Sequence, residues 1–166
     1  MDDGRGQLGM VAHPRKRWRQ RVLLASCLGV LLGCTSPAPD TLGLGVNNEL
    51  QSCPAKHNCV SSLGDYRDKD RYIAPLVASP VTWSSLPLVL SAQPNLRVVE
   101  QDENYLRAEA TSRFLRFVDD LEFQFRPDLG LIHVRSASRI GYSDFGANRD
   151  RLEQIRRSLR LTIQSP

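Results

Sequence analysis

The sequence is poor in the residues from which chemical centres are usually built. It holds three histidines, four cysteines and two methionines among 166 residues. It has no GxxxxGK phosphate loop and no compelling order of Ser, His and Asp for a hydrolytic triad. It also has no CxxC pair, which argues against a thioredoxin-like redox site and against the paired ligands of structural zinc. No run of 18 apolar residues reads as a mature membrane span, and no unit repeats along the chain. A basic surplus is missing where it would matter. The first 33 residues hold six of the 22 Lys and Arg and two of the 18 Asp and Glu, so residues 34–166 keep sixteen of each. A nucleic-acid binder needs excess cations to displace phosphate counterions, so that class is set aside.

What is present begins with an address. Arg15 to Arg21, "RKRWRQR", is a dense positive run, and Val22 to Leu32, "VLLASCLGVLL", is an apolar run of signal-peptide length. The next residues are "LLGCTS", and Leu31-Leu32-Gly33-Cys34 resembles the lipobox of bacterial lipoproteins. That resemblance implies removal of residues 1–33, diacylglycerol on Cys34, and a chain held in the cell envelope facing the periplasm. A second match, "LASC" ending at Cys27, has too short an apolar core before it. Thr35, not Asp, follows Cys34, which implies sorting to the outer membrane. Thr35 to Gln51, "TSPAPDTLGLGVNNELQ", is rich in Pro, Gly and Asn. We read 34–51 as a flexible tether and 52–166 as a single globular domain.

Within that domain the patterns favour an α+β fold. Leu96–Gln101, Tyr105–Thr111, Leu121–Phe125 and Leu131–Ser138 alternate apolar and polar residues, as strands with one wet face do. Arg126 to Gly130 reads as a hairpin turn between the last two. Tyr72–Ser79 is apolar but broken by Pro75, as in an edge strand or lead-in. Thr82 is a candidate cap for a helix carrying Trp83, Leu86 and Leu90. Leu152, Ile155 and Leu159 form the apolar stripe of a closing helix over 148–161. The expected architecture is an antiparallel sheet of about four strands with two helices on one face.

The most unusual polar run is "VRSASRIGYSDFGAN", Val134 to Asn148. Arg135 and Arg139 fall on one strand face, Ser136 and Ser138 on the other, while Asp144 and Asn148 stand where a helix start needs acceptors. Two arginines near a helix N-terminus suit a small anionic ligand. The plainer reading makes Asp144 and Asn148 caps and pairs the arginines with Asp119 and Asp120. Those two carboxylates are neighbours in a strand and point to opposite faces, so they do not suggest a shared metal centre.

"SCPAKHNCVSS", Ser52 to Ser62, raises a second question. With Cys27 in the leader and Cys34 lipidated, Cys53 and Cys59 are the remaining pair in an oxidising compartment, which favours a disulfide. The alternative is haem: Cys53-Pro54 looks like the Cys-Pro motif of haem-responsive proteins, with His57 as a second ligand.

These motifs together resemble a family called domain of unknown function 1499. The resemblance is carried by "CPAKHNCVSS", "RYIAPL", "EATSRFLRFVDDLEFQF" and "VRSASRIGYSDFGANRDRL". It implies a fold and an envelope or lumenal setting, and no reaction. The functional expectation is a lipid-anchored, non-enzymatic module that binds an envelope protein or a small anionic ligand, with no resident cofactor. The alternatives are a hydrolase or transferase built on Ser136, Arg135, Arg139 and Asp144, and thiol or haem chemistry at Cys53, His57 and Cys59.

Overall fold

A computed structural model describes Met1 and residues 36–164 of the chain. The expected signal peptide and the expected lipidation site Cys34 therefore lie outside the described residues, apart from Met1. Eight elements follow one another: β1 (Cys59–Ser61), β2 (Leu76–Val77), α1 (Pro80–Ser91), β3 (Leu96–Gln101), β4 (Tyr105–Thr111), β5 (Val118–Arg126), β6 (Leu131–Ser138) and α2 (Ala147–Gln164). The strands form one antiparallel sheet in the order β1-β6-β5-β4-β3, with β2 also on β6. The sheet has six strands where the sequence suggested about four. The two extra strands are three and two residues long, too short for an alternating pattern to show.

Period-two alternation sends Leu106, Ala108 and Ala110 of β4, Leu121 and Phe123 of β5, and Ile132 and Val134 of β6 to one face. There they form a single core with Leu86 and Leu90 of α1 and Leu152, Ile155 and Leu159 of α2. Each large side chain buried this way contributes about 1.5–3 kcal/mol. Ser79, not Thr82, caps α1. Its hydroxyl accepts from the Thr82 amide at 3.2 Å, the Ser79 amide donates in return to the Thr82 hydroxyl oxygen, and Pro80 starts the helix.

The other face departs from expectation. Alternation suggested a wet face, yet Val118 to Phe125 are buried without exception, on both sides of the strand. The cover over the polar side includes residues 36–50, which sequence composition marks as a flexible tether. The segment is mostly irregular, with one bridge between Leu44 and Leu50, but it is docked. Leu50 is buried, Gly43 donates its amide to Glu122 Oε1 at 2.7 Å, and the Asn48 carbonyl accepts from Gln124 at 2.5 Å.

Candidate functional site

The polar face of the sheet is built from alternate residues of β4, β5 and β6. Antiparallel register sets Glu122 directly opposite both Arg107 and Arg135, and Asp120 opposite Glu109 and Ala137. Arg135 is 2% exposed and Glu122 fully buried, and they form an ion pair at 2.5 Å. A buried pair of this kind contributes little net energy while intact, but loss of either partner strands a charge in a low-dielectric interior. Glu122 accepts two further bonds, from the Gly43 amide and from the Tyr105 hydroxyl at 2.9 Å. Burial, and after it the Glu122 charge, pushes the Tyr105 hydroxyl well above its usual range, which keeps it a donor.

Next to this pair lies a second cluster. Arg139 grips Asp120 with two bonds of 2.8 Å, reaches Glu109 at 2.5 Å, and donates to the Ser36 carbonyl at 2.6 Å. The forked bond to Asp120, followed by that to Glu109, holds the Arg139 guanidinium even more firmly charged than usual. Arg107 bridges Glu100, Glu109 and Asp120, and Arg97 adds a bond to Glu109 at 2.9 Å. Burial resists ionisation of Glu109, but its bonds to Arg139 and Arg97 together outweigh that and hold its carboxyl below the usual value. Arg97, Arg107, Arg135 and Arg139 thus neutralise Glu100, Glu109, Asp120 and Glu122. Tyr105, Arg107, Glu109, Glu122 and Gln124 were missed by motif reading. The hairpin offered a signal, because pairing outward from the turn brings Glu122 against Arg135.

The other candidates fall on the opposite face. Ser136, fully buried, donates to Asn148 Oδ1 at 2.5 Å. The Asn148 amide group donates to Ser138 Oγ and to the Asn58 carbonyl. Asp144 caps α2, accepting from the Gly146 and Asn148 amides at 3.2 and 2.8 Å. Asn58 ties this clamp to the loop by donating to the carbonyls of Ser138 and Gly141, and Gly141 sits at φ 93°, where a side chain would be strained. Asp119 faces the helices and pairs with Arg151 at 2.8 Å, while Asp120 faces the arginines. The two carboxylates are separated by the sheet. Ser136 therefore shares no centre with the arginines, although Ser138 borders the same cavity as Arg135 and Arg139.

Cys53 and Cys59 are joined by a disulfide with Cα atoms 5.6 Å apart. The bond engages both sulfurs and closes a loop that carries exposed His57, whose ring meets Tyr142 edge-on at 5.5 Å. Among the described residues no three His, Cys, Asp or Glu side chains gather to hold a metal ion. No helix among them is long and apolar enough to cross a membrane.

The family described as "Protein of unknown function (DUF1499)" matches residues 49–159. The chain belongs to this family. The DUF1499 match takes in the disulfide loop, every strand and most of α2, and so covers both the ionic face and the Asn148 clamp. Most of the docked 36–50 segment precedes it. No curated protein matches the chain.

Proposed function

We propose that this DUF1499 protein is a lipid-anchored component of the cell envelope, held through Cys34 at the outer membrane and facing the periplasm. It acts there as a non-enzymatic module that binds a partner protein. The closure of its polar constellation carries the non-enzymatic part of this reading. Ser136 lies in the interior with its hydroxyl engaged by Asn148, and Arg139 is saturated by Asp120 and Glu109. A hydrolase or transferase needs a nucleophile its substrate can reach. Anchoring is supported by the apolar run ending in "LLGC". Mass spectrometry of protein from membranes is expected to find Cys34 as a diacylglycerol-bearing first residue, and Cys34→Ser to abolish that processing. An intact leader on wild-type protein would refute the anchor.

A second reading has one observation in its favour. Arg135 Nε is buried without a hydrogen-bond partner beside a cavity of about 130 Å³ lined by Pro39, Leu42, Pro54 and Arg139. A small anion would satisfy that donor. Titration with inorganic phosphate should then shift the Arg135 Nε resonance, and an unchanged resonance removes the idea. The haem alternative requires the Cys53–Cys59 bond to open first. It predicts a Soret shift in reduced protein only, and no shift in either state discards it.

A further inference from the structure

We infer that the end of the sheet carrying the β4–β5 and β6–α2 loops is a membrane-docking tip that inserts apolar side chains into an anionic lipid surface. Residues 112–117 close as a hairpin loop, with the Ser112 and Phe117 amides bonded across its base. Residues 139–146 leave β6 at the same end, since the Arg139 amide donates to the Val118 carbonyl. From these two loops Phe114, Leu115, Phe117, Ile140, Tyr142 and Phe145 project into solvent. Phe114 is 89% and Phe145 96% exposed. Single exposed apolar residues need no explanation, but six on adjacent loops form a patch that marks an interaction site. Phe145 and Arg116 also hold positive φ, 54° and 57°, a costly conformation for bulky residues.

The occupant is identified by charge and by where the chain comes from. Arg113 and Arg116 flank Phe114 and Leu115, are exposed, and make no ion pair or side-chain hydrogen bond among the described residues. Exposed Lys56 stands at the same end, because its disulfide loop pairs His57 with Ser143. Of the carboxylates near this end, Asp120 turns inward to Arg139, Asp119 to Arg151 and Asp144 to the start of α2, while Asp40 and Asp150 are exposed and leave the three cations in excess. Aromatic and aliphatic tips ringed by unpaired cations suit an anionic bilayer interface.

The N-terminal segment gives the second, independent argument. It crosses the polar face in one direction: Ser36 contacts Arg139, Gly43 contacts Glu122, and Asn48 contacts Gln124. Followed backwards, it leads towards the tip. Cys34 is two residues before Ser36, within about 7 Å of chain. This line rests on the proposed lipidation, which would place the bilayer beside the loops. An acyl anchor and an apolar, basic tip at one end are the two signals that stable membrane attachment takes.

The test uses the full chain carrying Trp18→Phe, so that Trp83 is the sole native tryptophan. Trp83 is stacked on Phe125 at the far end of the sheet, where its indole donates to the Glu103 carbonyl. Phe114→Trp is added to this background, and emission is followed with vesicles of phosphatidylcholine and phosphatidylglycerol containing brominated acyl chains. Emission from the indole introduced by Phe114→Trp should shift to the blue and lose most of its intensity, while the background protein is unchanged. Arg113→Gln and Arg116→Gln should each weaken vesicle binding about fivefold. Mass spectrometry of Cys34 on the same samples separates the two claims. Quenching without acylation would sink the anchor and uphold the tip. Acylated Phe114→Trp protein whose emission stays unquenched would overturn the tip and leave the anchor standing, and the patch would then belong to a protein partner.

Discussion

The two faces of this sheet are made from the same strands in strict alternation, yet they are closed by different physics. One face is covered by α1 and α2 and filled with Leu, Ile, Phe and Ala. The other is filled with Tyr105, Arg107, Glu109, Asp120, Glu122, Gln124, Arg135 and Arg139, under a cover that includes the irregular segment 36–50. The apolar face draws its energy from area removed from water and tolerates partial losses in proportion to volume. The polar face depends on every charge having its partner, so it resists substitution singly but permits paired exchange.

The largest effect should come from splitting the central ion pair. Arg135→Met is expected to destabilise the protein by about 3–5 kcal/mol, because Glu122 is left charged and buried. Adding Glu122→Leu should recover most of that loss. Denaturant unfolding of the single and double variants checks both. Phe123→Ala on the apolar face should also lose about 3–5 kcal/mol, but through a cavity, so no change at Glu122 should restore it. Equal behaviour of the two faces towards rescue would break the comparison.

Between those losses and the smallest lies the staple. Replacing Cys53 and Cys59 by serine should lower stability by about 2–3 kcal/mol, and added reductant should do the same to the wild type. Ser79→Ala, which removes the cap of α1 on the apolar side, should subtract about 1 kcal/mol. The smallest expected effect concerns pH and belongs to the polar face alone. Glu109 has its carboxyl held below the usual 4.5 in the folded state. Its contribution is therefore complete above that value and fades as pH falls through the lower folded one. Glu109→Gln should flatten the acid limb of a stability profile by less than about 1 kcal/mol, and Phe123→Ala should leave its shape alone.

Much of the apolar half was legible from sequence. Leu152, Ile155 and Leu159 gave α2, and alternation gave β3, β4 and β6 nearly as they stand. Alternation marked β5 only from Leu121, although Asp119 and Asp120 already read as strand neighbours on opposite faces; the strand begins at Val118 and includes both, with arginine partners remote in sequence. The polar half was legible only in its members. Alternation separates the two faces of a strand, but it does not distinguish a polar face in water from one that is buried and paired. That difference lay in Thr35 to Gln51, whose Pro, Gly and Asn fit a tether as well as a docked irregular strap. Arg135 and Arg139 were correctly placed on one face, and Ser136 and Ser138 on the other. What pattern reading lacked was Glu122, which engages Arg135 through Nη1 and leaves its Nε without a partner.

Closure of the polar face depends on that strap, and the Gly43 amide reports it most directly. It donates to Glu122 Oε1 in the middle of the polar face. Hydrogen exchange of the full-length protein should find this amide protected at least about a hundredfold over an unstructured chain. Exchange at the rate of an unstructured peptide would contradict the account: residues 36–50 would be a tether after all, and the ionic face would be open to water.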